Sequence, residues 1–194
     1  VGVDGRIDQY KKLWTLPDLP YEYPEAPGLV LRLMREDDKQ VIAQTMTDRG
    51  TYKDLSTATQ AVTSRMADPY TVGLVWDYRG EPVQSESFTQ LPDGRVEIGL
   101  AVHIDRARPA WFFREAERPV FERLRRAGGR IVCSYALKSL LPHWMPLLTE
   151  VYKATVVREW ENVVEFQYNI SLDFFKGWAQ RKTAGVDWKW EKGP

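Results

Sequence analysis

The chain has 194 residues and balances 27 Lys plus Arg against 27 Asp plus Glu, a formal charge of zero that argues against a strongly basic nucleic-acid protein. Hydrophobic residues make up 43% of it, enough for a core and too many for a disordered chain, and the length suits one domain with ordered extensions. Its single cysteine, Cys133, excludes an internal disulfide framework and a multi-cysteine zinc site, and it fits a reducing compartment.

Residues 1–28 read as an extended arm. Pro17, Pro20, Pro24 and Pro27 block helices and sheet interiors. Trp14, Tyr21 and Tyr23 lie between them and point to docking, because a purely solvating tail gains nothing from aromatics. The opening VGVDGRIDQYKK has no apolar signal core, and no run of about 18 apolar residues occurs, so neither secretion nor a membrane span is expected.

The pattern becomes globular at residue 29. An apolar strand is expected over 29–34 and an amphipathic helix over 36–46, with Val41, Ile42, Thr45 and Met46 on its buried side. A second helix covers 56–66, capped by Ser56 or Asp54. Residues 71–78 alternate, with Val72, Leu74, Trp76 and Tyr78 on one face, and Arg79-Gly80 turns the chain into a strand over 83–90. Pro92-Asp93-Gly94 marks a turn, after which Val96, Ile98, Leu100 and Val102 alternate along the next strand.

A long helix is expected over 109–127, burying Phe113, Ala116, Val120, Leu124 and Ala127 and ending at Gly128-Gly129. Residues 130–136 read as a strand that buries Cys133, and 139–152 as a helix disturbed by Pro142 and Pro146. A hairpin follows, 153–160 with 163–170, closed at Glu161-Asn162. Residues 173–194 form an aromatic, basic tail in which Trp178, Trp188 and Trp190 stand among Lys176, Arg181, Lys182, Lys189 and Lys192. Such a tail can stack on nucleic acid, but tryptophans of this kind more often pack on a protein neighbour.

The resulting order, β-α-α-β-β-β-α-β-α-β-β, resembles the GNAT superfamily of N-acetyltransferases over residues 29–172, an α/β fold with a mixed central sheet. VEIGLAVHID, residues 96–105, resembles that family's fourth strand, where the chain splays around a bulge that Gly99 could provide. The helix ending in Arg126-Ala127-Gly128-Gly129 and the strand RIVCSY resemble its third helix and fifth strand.

The resemblance also implies a site. In the family, a loop of the form [Q/R]-x-x-G-x-[G/A] after the fourth strand holds the pyrophosphate of acetyl-coenzyme A on backbone N–H groups at a helix N-terminus. Aligned from Val102, those positions are Ala107, Arg108, Pro109, Ala110, Trp111 and Phe112. Ala110 replaces the first glycine, Phe112 replaces the final small residue, and Pro109 removes an N–H. Arg106 and Arg108 flank the missing leading residue. No other glycine-rich loop stands in for this one.

In an active member, Glu97 would accept the amine's proton and Tyr152 would protonate the departing thiolate. Backbone groups of Leu100, Ala101 and Val102 would meet the acetyl carbonyl and the pantetheine arm, with Arg106, Arg108 and Ala110 at the phosphates. The plainer account of Glu97 is an exposed strand residue, and that of Tyr152 a half-buried aromatic. His103 and His143 have no third ligand and make no metal site. The arginines of the long helix are interrupted by Glu115, Glu117 and Glu122, which reads as a solvated face, and SLLPHWMPLL as an apolar lip or a kinked helix.

The leading reading is non-catalytic, with no cofactor expected. The domain would be a structural component of an oligomeric assembly, cytoplasmic or virion-associated, with both arms docked on protein neighbours. Phage genomes encode GNAT-like proteins among their particle genes, and this chain is similar in kind. The alternative is an active N-acetyltransferase using acetyl-coenzyme A in a divergent pocket. A third is a nucleic-acid-associated protein using its tail.

Overall fold

A computed structural model describes residues 18–24, 26–104, 110–146, 148–149 and 152–175. The chain forms two compact units, one of Val1–Gln90 with Ile98–Arg106 and one of Leu91–Glu97 with Ala107–Pro194.

In the first unit the strands are β1 (Tyr21–Glu22), β2 (Leu29–Leu33), β3 (Thr71–Tyr78), β4 (Glu81–Gln90) and most of β5 (Val96–His103), hydrogen-bonded in that order. The pairs β1–β2, β2–β3 and β3–β4 are antiparallel. Tyr21 and Glu22, which fall within the proline-rich arm of the sequence reading, thus pair with Leu31 and Val30. Arg79 and Gly80 both have positive φ, 56° and 93°, the mirror-image turn whose twist suits a two-residue hairpin.

Helices α1 (Glu36–Asp48) and α2 (Leu55–Ala67) lie between β2 and β3 in sequence. Asp54 is the cap of α2, and its carboxylate accepts from the Thr57 N–H at 2.8 Å. Ile42, Ala43 and Met46 of α1 and Ala58 and Val62 of α2 pack with Leu100 and Val102 of β5 into one apolar core. Each of the larger side chains among them, withdrawn from water, contributes roughly 1.5–3 kcal/mol. Val41, expected on the buried side of α1, is exposed, and Ala43 takes that place. Asp38 is also buried there, held by Arg32.

In the second unit the order is β5, β6 (Ile131–Leu137), β8 (Val163–Asn169), β7 (Thr155–Glu159), with β6–β8 and β7–β8 antiparallel. Helix α3 (Ala110–Arg126) ends where Gly128 takes φ 95°. It buries Val120 and Leu124, as the sequence pattern predicts, and also Phe121. Phe121 meets Tyr152, Tyr168 and Phe174 edge to face at centroid distances of 5.3, 5.8 and 5.6 Å.

The helix expected over 139–152 is shorter and broken. A single tight turn (Lys138–Leu140) leads into α4 (Leu141–Pro146), and Tyr152 lies outside any helix. Pro146 has no N–H to give to the carbonyl four residues back, and Leu148 and Thr149 beyond it form a wider helical turn. No described helix is long and apolar enough to cross a membrane.

Candidate functional site

The local geometry that stands out in the first unit is a kink in β5. Leu100 has φ 46°, a left-handed conformation that costs an L-residue roughly 1–2 kcal/mol. Arg79 and Lys153, the other described non-glycine residues with positive φ, lie in a turn and ahead of a strand, whereas Leu100 is in mid-strand. The sequence suggested Gly99 for this irregularity; the left-handed residue is its neighbour.

Three contacts hold the kink. The Leu100 side chain is buried in the core made with α1 and α2. The Ser85 hydroxyl on β4 donates to the Leu100 carbonyl at 2.9 Å. The guanidinium of Arg65 on α2 lies over Gly99, so near that a Cβ there would be 2.7 Å from Cζ. Arg65 is itself tethered through Nε to the Ser87 hydroxyl at 3.3 Å.

Glycine at 99 is therefore needed for close approach, and leucine at 100 for its apolar anchor. Gly99 and Leu100 both turn toward the helices, so the alternation slips by one residue. Ala101 then points out and is exposed, and Val102 is buried. Arg65, Ser85 and Ser87 were missed by sequence reasoning. The only trace of them is QSES, a polar run inside a strand whose Gln84, Ser85, Glu86 and Ser87 are all buried. Gln84 donates to Glu86 at 2.6 Å within this row.

The second unit carries the two catalytic candidates. Glu97 is half-buried on β5. Its charge acts on Cys133 and Tyr135 of β6, raising the pKa of both; in each case burial is the larger cause. The Cys133 thiol is pushed up to about 11 and donates to the Val96 carbonyl across 3.6 Å, which makes it a poor nucleophile. Arg95, also from β5, binds Asp93 at 2.7 Å and the buried Glu165 of β8 at 3.1 Å.

Tyr152 is 5% exposed. Its ring stacks on Tyr168 at 4.9 Å and leans on Phe174 at 5.9 Å, and its hydroxyl oxygen has no surface open to solvent. Among the described residues no three His, Cys, Asp or Glu side chains gather as a metal site.

Leu100, Ala101 and Val102 are brought together in the first unit, and Glu97, Tyr152 and Ala110 belong to the second. Ala110 is the first residue of α3. Arg106, Arg108, Trp14, Trp178, Trp188 and Trp190 lie outside the described residues. Tyr21 and Tyr23 set their ring edges against the buried Trp76 of the same chain, at 6.4 and 6.1 Å.

An eight-stranded α/β order with a left-handed kink in its fifth strand can be compared with solved proteins. The nucleotide-linked sugar GNAT FdhC is 12% identical with a TM-score of 0.61, over 80% of this chain and 93% of that one. The fold is that of the GNAT acetyltransferases. A Salmonella typhimurium acetyltransferase that modifies the N-terminal serine of ribosomal protein L7/L12 matches with a TM-score of 0.57 at 13% identity, over 76% and 98% of the two chains. Salmonella typhimurium yncA, solved with its cofactor acetyl-CoA, matches with a TM-score of 0.54 at 15% identity, over 75% and 95%. At such identities the likeness carries the fold and not the activity. No protein-family model matches the sequence, and neither does any curated protein.

Proposed function

We propose that this GNAT-fold chain does not transfer acyl groups and serves as a structural component of a protein assembly, docking through the outer parts of its two arms, residues 1–17 and 176–194. The observation that carries this reading is the burial of Tyr152. A general acid must bring its proton within about 3 Å of the leaving atom. Here the hydroxyl oxygen has no surface open to solvent, and the ring packs against Phe121, Tyr168 and Phe174.

The start of α3 points the same way. Helix N-termini bind phosphates through free N–H groups that can be approached closely. In the sequence Pro109 lacks such a group, Ala110 stands for the motif's glycine and Phe112 for its final glycine or alanine. These residues do not suit the pyrophosphate of acetyl-coenzyme A. A place in a phage particle is the setting we favour, and it rests on the divergent loop and the two arms of the sequence.

One observation favours the other reading, an acyl-coenzyme A N-acyltransferase. The Leu100 kink is a costly distortion kept in the strand where the fold's enzymes meet their acyl donor. In that reading Glu97 accepts the amine's proton.

Calorimetric titration of the full chain with acetyl-coenzyme A decides between them. We expect no saturable heat. Saturable binding in the micromolar range refutes the structural role.

A further inference from the structure

Among the described residues β7 is the terminal strand of the second unit, paired with β8. Every residue of it is exposed. Its outer edge therefore offers backbone N–H and C=O groups in a row, a template on which another strand can pair. The centre of that edge is apolar: Val156 is 51% exposed and Val157 50%. Beside it Trp160, 42% exposed, packs against Tyr135 at 6.2 Å and carries the Arg158 guanidinium over its ring at 5.4 Å.

The charges along this edge are ordered. Lys153 precedes the strand and Glu161 follows it, both exposed; between them Arg158 and Glu159 offset each other, and Glu159 meets Lys138 of its own chain at 3.4 Å. A strand that is positive at its start and negative at its end is complementary to its own copy run in the opposite direction. Laid antiparallel, Lys153 of each copy meets Glu161 of the other. Laid parallel, like charges face each other. Proteins blunt free edges with charges and bulges, and Val157 is the extra residue of a bulge against β8, between the pairs Val156–Phe166 and Arg158–Glu165. That arrangement turns away most strands, while the charge order admits the reversed copy.

We infer that β7 is a self-association edge, through which two copies of this chain pair antiparallel about a two-fold axis. β7 belongs to neither arm of the sequence, and the inference does not depend on whether the chain binds acetyl-coenzyme A.

Sedimentation velocity of the full chain over a wide concentration range is the test. Wild type is expected to dimerise. Val157→Lys sets two like charges near the axis and should leave a monomer with the wild-type melting temperature, since the side chain is exposed. At a two-fold interface each ion pair occurs twice, so Lys153→Glu and Glu161→Lys should each weaken dimerisation by roughly tenfold. The double variant restores the pairs with their signs exchanged and should regain wild-type affinity. The inference is overturned by a wild type that stays monomeric, by a Val157→Lys protein that still dimerises, or by a double variant no better than the singles.

Discussion

Replacing Asp38 by alanine should remove a large part of this protein's stability. Asp38 receives the Arg32 guanidinium end-on, Nη1 to Oδ2 at 2.7 Å and Nη2 to Oδ1 at 2.9 Å, while the Arg32 Nε donates to Asp77 at 3.1 Å. All three side chains are buried, at 8%, 5% and 8% exposure for Arg32, Asp38 and Asp77. Asp38 also accepts from the Arg35 N–H at 2.6 Å, closing the first turn of α1. Breaking a buried pair by deleting one member costs about 3–5 kcal/mol, because the other charge is stranded. Asp77 still holds Arg32, so the lower end applies, and the lost helix-start bond adds about 1 kcal/mol. The sum, roughly 4 kcal/mol, compares with a total stability of about 5–15 kcal/mol for an ordinary domain.

Urea denaturation followed by circular dichroism would read this loss as a lower midpoint at unchanged slope. The pH dependence gives a second reading. Burial pushes the Asp38 carboxyl up, but the Arg32 and Arg35 hydrogen bonds outweigh it and hold it below the ordinary aspartate value. A carboxyl whose folded pKa is depressed stabilises fully above its unfolded pKa, about 3.9, and loses that contribution as pH falls through the folded value. Wild type should therefore lose stability below about pH 4 more steeply than Asp38→Ala. A variant within about 1 kcal/mol of wild type at neutral pH, or acid limbs of equal slope, would refute the reasoning.

Other perturbations have equally definite outcomes. Phe121→Ala should cost about 3–5 kcal/mol in urea denaturation, because it opens the middle of the Tyr152–Tyr168–Phe174 cluster. Cys133, buried and with its thiol pushed up to about 11, should resist a disulfide reagent at pH 8 in the native protein and react at once in denaturant; fast native labelling would contradict its burial. Arg79→Asn should stabilise by about 0.5–1 kcal/mol, since φ 56° at Arg79 suits asparagine better, with the lost contact to the Tyr78 ring as the opposing term. Gly99→Ala should displace the Arg65 tip and break its bond to Ser87, costing about 1 kcal/mol by thermal melting; in an Arg65→Ala background that cost should vanish.

Much of the fold was legible in the sequence because its periodicities are strong. The strand at 71–78, both helices of the first unit, the burial of Cys133 and the hairpin at Glu161-Asn162 follow from spacing, caps and turn residues. β1 was not legible: two residues between prolines carry no period, and their strand exists only because β2 offers an edge. Phe121 escaped because the stripe read from 3.6-residue spacing is narrower than the face α3 buries. The Leu100 kink was off by one residue for a physical reason. Sequence reasoning gives a positive φ to glycine, but Gly99 is spent on admitting Arg65, and the apolar anchoring of Leu100 is a tertiary effect. The polar row on β4 reads as solvent-facing, and only the pairing of Trp76 with Gln84 and of Leu74 with Glu86 shows it to be interior.

The two-residue turn at Arg79-Gly80 bears on the order in which the first unit assembles. It brings β3 and β4 together with almost no loop to close, so their ladder can nucleate at small entropic expense. β2 must reach β3 across α1 and α2, and the Arg32–Asp77 contact spans 45 positions of chain. The hairpin should therefore mature first and act as the template on which β2 and its buried arginine arrive late. Slow steps in refolding would then trace to the docking of that strand rather than to the turn.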